Sequence, residues 1–317
     1  IENFEENHKA VYLARYHVSE TGIASRIKTL IQAKRSLREF EVGKALEWVQ
    51  RRLDIRLAEN QVKAVSGALR NKVMVITGGP GTGKTTIINA VLKILTGLNA
   101  RVLLAAPTGR AAKRMSEATG RPAKTLHRLL EYSLQRGGFQ RNEKHPLACD
   151  ALIVDEASMI DTALMYHLVK ALPAEAVFIL VGDVNQLPSV GAGNVLKDII
   201  ASRAVPVVEL TEIFRQARER RIVVNAHLIN QGLFPKLESP GENKDFYFVE
   251  QEDPEEVLRI ILELTQFRIP KRFGLDPVDD IQVLSPMNKG VVGAWNLNAR
   301  LQEALNPGEG FSFSGER

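Results

Sequence analysis

The chain has 317 residues, 44% hydrophobic and 25% charged, which suits about two ordinary globular domains with a sizeable core. Its 42 Lys and Arg against 37 Asp and Glu leave a net charge of +5, which permits a nucleic-acid partner without demanding one. The single Cys149 excludes an internal disulfide and no apolar run approaches the ~18 residues that span a bilayer, so a soluble protein in a reducing, cytoplasmic setting is expected.

Residues 1–57 read as helices, with Leu30, Leu37, Phe40, Leu46, Val49 and Leu53 at helical spacing and Gly22 and Gly43 as interruptions. Arg26, Lys28, Lys34, Arg35 and Arg38 in this stretch suit a solvated helix face better than phosphate contacts. From Leu57 the period changes to short apolar runs alternating with amphipathic helices, the pattern of a parallel sheet covered on both faces. The expected strands are 73–77, 101–106, 151–155, 176–181 and 206–210, with helices at about 84–97, 108–118, 161–171 and 194–202. Residues 135–146, rich in glycine and charge, read as an exposed loop or hairpin. A second α/β block is expected after residue 212, with strands near 246–249 and 281–285 and helices near 219–231, 254–267 and 291–305. The division is therefore 1–57 helical, 58–212 first α/β domain and 213–317 start of a second. Ile1 in place of Met, and an end without a helix stop, suggest a piece of a longer protein.

Two stretches carry the chemistry. Gly78 to Thr86, GGPGTGKTT, lies between an apolar run and an amphipathic helix and fits the P-loop pattern. Gly79, Pro80, Gly81, Thr82, Gly83, Lys84, Thr85 and Thr86 are the expected nucleotide-binding residues, and glycines at 78, 79, 81 and 83 let successive N–H groups surround a polyphosphate at a helix N-terminus. Lys84 would reach the β- and γ-phosphates, and Thr85 would be a ligand of Mg²⁺. The second stretch is the apolar run 151–154 ending in Asp155 and Glu156, a Walker B arrangement. Asp155 would hold the metal, and Glu156 would orient and deprotonate the attacking water. Gln186, on the loop after the next strand, is a candidate nucleotide sensor, and Arg215 could stabilise transition-state charge.

The ordered set Gln61, GGPGTGKTT, APTGRAAKRM, TLHRLL, DEAS, GDVNQLPSVGAG and LTEIFRQ resembles, over roughly residues 57–217, the RecD-like branch of superfamily 1 DNA helicases. A weaker likeness covers 283–293, and the N-terminal helices look like the domain that precedes the motor in longer, free-standing members. The resemblance implies an α/β P-loop NTPase: a RecA-like parallel sheet with helices on both faces, preceded by a small helical domain and followed by an incomplete second RecA-like lobe. It implies an ATP- and Mg²⁺-dependent 5′-to-3′ helicase acting on single-stranded DNA in recombination or repair. Gln61 matches the family's adenine contact, Lys84 and Thr85 its phosphate and magnesium residues, and Asp155 and Glu156 its metal and water residues. Gln186 and Arg215 match its γ-phosphate contacts. Pro107, Thr108 and Arg110 match its first DNA box, Thr125 and His127 the second, Pro188 and Asn194 the loop beside the third, and Ser285 belongs to the weaker likeness. His127 could stack on a base, yet its pattern is also that of a plain amphipathic helix.

Ala192 stands where relatives often carry proline, a change expected to loosen that loop. The family's last two boxes, with an arginine that completes the ATP site, have no counterpart before Arg317, so little turnover is expected of this chain alone. A second reading is a nucleotide-gated nucleic-acid-binding module. A GTPase switch fits poorly, because Asn288-Lys289 is followed by Gly290-Val291 and no guanine-reading Asn-Lys-x-Asp exists.

Overall fold

The computed structural model describes residues 2–4, 8–35, 38, 40–212, 220–237 and 245–306. They form two compact units, Ile1–Lys236 and Leu237–Arg317. In the first, a short hairpin of β1 (Glu2–Phe4) and β2 (His8–Ala10) precedes α1 (Ala14–Gln32), α2 (Val42–Leu53) and α3 (Glu59–Arg70). There follow β3 (Val73–Gly78), α4 (Lys84–Gly97), β4 (Val102–Ala106), α5 (Gly109–Thr119), β5 (Ala123–Thr125) and α6 (Leu126–Leu129). A small hairpin, β6 (Tyr132–Ser133) and β7 (Gly138–Phe139), leads to β8 (Ala151–Val154), α7 (Thr162–Ala171), β9 (Val177–Gly182), α8 (Val195–Ala201), β10 (Val207–Leu210) and α9 (Arg221–Asn230).

Six strands make one parallel sheet in the order β10-β3-β9-β8-β4-β5. This is an α/β fold with helices on both faces. All five expected strands are in it. The sixth, Ala123–Thr125, was not expected because three residues at a sheet edge carry no apolar run. Register puts Thr77 beside Gly182 and Val154 beside Leu180, so the carboxyl ends of β3, β8 and β9 lie side by side. Ligands of open parallel sheets bind outside these ends.

The period-two alternation of each strand feeds two cores. Val73, Val75, Leu152, Val154, Phe178 and Leu180 face one, while Met74, Ile76, Ile153, Val177, Ile179 and Val181 face the other. Helices α7 and α8 cover the first and α3 and α4 the second, which is why the strands read as unbroken apolar runs. Helix α1 also belongs to the first core, through Ile23, Ile27 and Leu30.

Gly22 does not interrupt the first helix, as its sequence suggested. It lies inside α1, where a Cβ would stand 2.3 Å from the Tyr166 ring of α7, so the glycine admits a close helix crossing. Gly43 likewise lies within α2. Two of the basic residues read as a solvated face instead bind carbonyls at helix ends. Arg26 donates to Val169 O at 3.1 Å and Leu172 O at 2.7 Å at the end of α7, and Arg35 donates to Arg70 O at 3.0 Å and to Leu69 O at the end of α3. Such carbonyls lack helical partners, and cations satisfy them.

Cys149 is buried in the first core, and burial pushes its thiol up to about 12. Because the thiolate is the reactive form, we expect it to resist alkylation in native buffer and to react on unfolding. Stoichiometric labelling by a maleimide before denaturation would contradict this placement.

The second unit, in its described residues, holds α10 (Pro254–Glu263), a π-helical turn (Leu264–Arg268), α11 (Ile269–Phe273) and α12 (Ala294–Leu305). Leu258 and Leu297 are buried, and Gln266 donates to Ala304 O at 2.9 Å. The strands expected near 246–249 and 281–285 are not formed. A strand is completed by ladder bonds to a neighbour, and among the described residues of this unit no segment supplies one; Tyr247, Phe248 and Val249 are left half exposed.

Candidate nucleotide site

Strand β3 delivers the chain to Gly78, and α4 begins at Lys84, so residues 79–83 form the loop between a strand end and a helix N-terminus. Gly83 takes φ +84°, a left-handed backbone that a side chain would strain, and this turn aims the first N–H groups of α4 at the cleft. The loop is braced from within. Lys84 Nζ donates to Gly78 O at 2.5 Å and Gly79 O at 3.0 Å, and Thr82 Oγ1 donates to Gly79 O at 2.8 Å.

Gln61, on α3, holds the loop from behind. Its Nε2 donates to Thr82 O at 3.2 Å and its Oε1 accepts from Ala58 N at 3.1 Å, with the residue only 2% exposed. Both ends of the amide are thus engaged with backbone, and Gln61 does not line the cleft in front of the P-loop.

That cleft, about 740 Å³, is lined by the loop residues Gly79 to Thr86, by Asp155, Glu156 and Gln186, and by one face of α5. Asp155 ends β8, its Oδ1 accepting from Glu156 N at 2.9 Å. Glu156 has φ +52°, a left-handed conformation that costs a non-glycine residue about 1–3 kcal/mol. Its Oε2 is buried and has no hydrogen-bond partner. A buried, unpartnered carboxylate oxygen is costly, and Glu156 is also one of the residues that line the cleft.

Burial pushes the Asp155 carboxyl up, against the Glu156 N–H and the charges of Lys84 and Arg114. Glu156 is also pushed up, first by burial and then by the Asp155 charge, again opposed by Lys84 and Arg114. Desolvation therefore dominates both groups, and cations limit it.

Gln186 is positioned by the turn after β9. Its N–H donates to Asp183 O at 3.2 Å and its Nε2 to Asp183 Oδ2 at 3.3 Å, while Asp183 Oδ1 accepts from Asn185 N at 3.0 Å. The structure thus brings Lys84, Thr85, Asp155, Glu156 and Gln186 together, as the sequence led us to expect. Arg215 falls outside the described residues.

Two further groups bear on the P-loop without having been singled out in the sequence. Arg114 lies on the cleft face of α5. His227, on α9, packs on Gly79, where a Cβ would meet its Cε1 at 2.8 Å, and its Nε2 is buried without a partner beside a second cavity of about 490 Å³. Helical spacing from Ala111 to Met115 and Ala118 could have marked Arg114. No local pattern marks His227, because its contact spans almost 150 residues of chain.

The expected DNA residues of the first unit follow the carboxyl ends of its strands. Thr108 is the N-cap of α5, accepting from Ala111 N at 3.2 Å, with Pro107 before it and Arg110 exposed after it. Thr125 caps α6, accepting from Arg128 N at 3.3 Å. His127 is a helix residue with an exposed ring, 5.8 Å from Tyr132 and 5.5 Å from Phe139. Pro188 and Asn194 are exposed on the loop before α8. That loop is tied down, not loosened at Ala192: Thr162 N donates to Ala192 O at 3.0 Å, and Ser189 Oγ bonds Gly191 O and Gly193 O, each at 2.9 Å. Ser285 lies in the second unit, where its Oγ donates to Val292 O at 2.7 Å.

A family profile described as an AAA domain matches residues 61–192. The ATP-dependent RecD2 DNA helicase of Deinococcus radiodurans is 37% identical over 301 residues, covering 95% of this chain and 39% of that protein. The RecBCD enzyme subunit RecD of Mycolicibacterium smegmatis is 31% identical, covering 93% of this chain and 57% of its own. Among solved structures, the Pif1 helicase from Candida albicans aligns with 68% of this chain and 54% of its own, at a TM-score of 0.46 and 21% identity. The chain thus spans between two-fifths and three-fifths of the length of these two curated relatives.

Proposed function

The chain is a homologue of RecD-type helicases along nearly all of its length, and from that premise we propose that it is part of an ATP-driven 5′-to-3′ DNA translocase acting on single strands in recombination or repair, in a cytoplasmic setting. The observation that carries the reading is the shared cleft: a braced P-loop faces two carboxylates, one with a buried, unpartnered oxygen. The direction of movement follows the resemblance. The division into 1–57, 58–212 and 213–317 is proposed as one of function, whereas by packing the residues up to Lys236 form one unit.

The nucleotide's phosphates would meet the N–H groups at the start of α4, with Lys84 exchanging the Gly78 and Gly79 carbonyls for phosphate oxygens. Thr85 and Asp155 would hold Mg²⁺: one hydroxyl and one carboxylate suit a cation that keeps most of its waters and takes its remaining oxygens from the phosphates. The ion would neutralise phosphate charge. Glu156 would accept a hydrogen bond and then a proton from the attacking water, and its raised pKa makes it the better base. Gln186, held by Asp183, would turn its amide oxygen or the second N–H of its amide toward the terminal phosphate. Gln61 would reach an adenine only by giving up its bond to Thr82 O or Ala58 N.

DNA would lie across Pro107, Thr108, Arg110, Thr125, His127, Pro188 and Asn194 of the first unit, held mainly through phosphates, and Ser285 is proposed as a separate DNA contact of the second unit. Phosphate release with and without single-stranded DNA, together with a salt series of binding, tests the reading. We expect turnover that is low in this chain alone and rises with single-stranded DNA, and affinity that falls as salt rises and varies little with base sequence. A flat salt response or strict sequence preference would count against a translocase. Binding of both ligands without coupled turnover would leave a nucleotide-gated binding module.

A further inference from the structure

Of the described residues that line the P-loop cleft, Lys84 and Arg114 are the cationic ones, and only Lys84 has an assigned task. Arg114 sits in α5, whose rotation is set by burial of Ala112 and Met115 in the interior. That bedding turns Ala111, Arg114, Met115 and Ala118, spaced at helical intervals, along the wall opposite the P-loop. The Arg114 side chain is exposed in the cleft, and among the described residues no acidic group lies within ion-pair distance of it. Its charge nevertheless acts on both Asp155 and Glu156. It therefore shares the cleft lining with Asp155 and Glu156 and pairs with neither.

A guanidinium with five unspent donors, facing anionic groups it does not bind, suits a ligand with several acceptor oxygens. The charge balance points the same way. Asp155 and Glu156 already match Lys84 and Arg114 within the lining, Asp183 outside it adds a further negative charge that acts on Glu156, and a triphosphate with one divalent ion adds about two more. The loop N–H groups and the helix dipole of α4 act on the phosphates nearest the loop. The terminal phosphate, between the loop and the carboxylates, has the greatest need of a second cation.

We infer that Arg114 binds the terminal phosphate of the nucleotide from within the first unit, so that this unit alone distinguishes ATP from ADP. The inference rests on the nucleotide-site reading above. Thr108, one helix turn or more before Arg114, caps α5. A DNA strand drawn against Thr108 and Arg110 would therefore bear on the helix that carries Arg114.

The test is equilibrium titration of this chain with fluorescent ADP and with the non-hydrolysable β,γ-imido analogue of ATP, both with Mg²⁺. Arg114→Ala should weaken the triphosphate about 10- to 100-fold, the loss of one charge-assisted contact, and change ADP affinity by less than about threefold. Arg114→Lys should recover part of the discrimination, since it keeps the charge and loses the planar fork. Lys84→Ala should weaken both ligands. Because Arg114 is exposed and makes no ion pair among the described residues, its two variants should stay folded at the titration temperature, and this is checked by thermal melting. Equal weakening of both ligands, or none, by Arg114→Ala while the parent binds both would overturn the inference and leave the nucleotide site standing. Failure of the parent to bind either would overturn both.

Discussion

Glu156→Gln should lower ATP turnover by about 10²- to 10⁴-fold while nucleotide affinity stays within a few-fold of the parent. The substitution keeps the size and the accepting oxygen that faces the cleft and removes the capacity to take a proton. The same variant should be more stable than the parent at neutral pH. The sign follows from burial: the folded-state pKa of Glu156 lies above its unfolded value, so between the two values the folded chain holds more protons than the unfolded one. Stability accordingly falls as pH rises through that window, and above it the folded state carries the full cost of a buried charge. Gln removes that cost, and the gain should shrink as pH drops to the carboxylate range. Phosphate release at saturating ATP and melting curves at several pH values read the two effects. Parent-like turnover would pass the base to another group, and a variant less stable than the parent at neutral pH would show that the Glu156 charge is better compensated than its surroundings indicate.

Lys84→Ala should weaken Mg·ATP binding by about 10²- to 10⁴-fold. In the structure the ammonium bonds two loop carbonyls, Gly78 O and Gly79 O, which places it at the mouth of the loop and keeps those carbonyls satisfied without ligand. On binding it would exchange two carbonyl partners for phosphate oxygens, and two charge-assisted contacts are worth roughly 3–6 kcal/mol together. Fluorescence titration with labelled ATP measures the loss. Retained affinity would mean that the N–H groups of α4 suffice and that Lys84 braces the loop without reaching the ligand.

What could be read from the sequence, and what could not, divides by range. The P-loop, the Asp155-Glu156 pair and the five long strands are written in contiguous residues, because a strand end followed by a helix start leaves its mark within about ten positions. The face of α5 that meets the cleft and the packing of His227 on Gly79 depend on elements brought together by the sheet order, which no local window contains. The task of Gln61 is a middle case. Its position beside the P-loop could be anticipated, yet its engagement with Thr82 O and Ala58 N depends on how α3 docks. The expected strands at 246–249 and 281–285 failed for the opposite reason. Their apolar alternation is compatible with a strand, and a strand exists only where a neighbour completes it.

Helix α1 binds the fold in a way that a domain boundary drawn at residue 57 would hide. Ile23, Ile27 and Leu30 lie in the same core as Phe178 and Leu180 of β9, Gly22 admits the Tyr166 ring, and Arg26 closes the end of α7. Helix α1 is thus an outer wall of the first unit's interior. In evolutionary terms, Gly22 and Tyr166 form a coupled pair: a lineage that enlarges the first must shrink or move the second, so the N-terminal helix cannot be exchanged between relatives as an independent cassette.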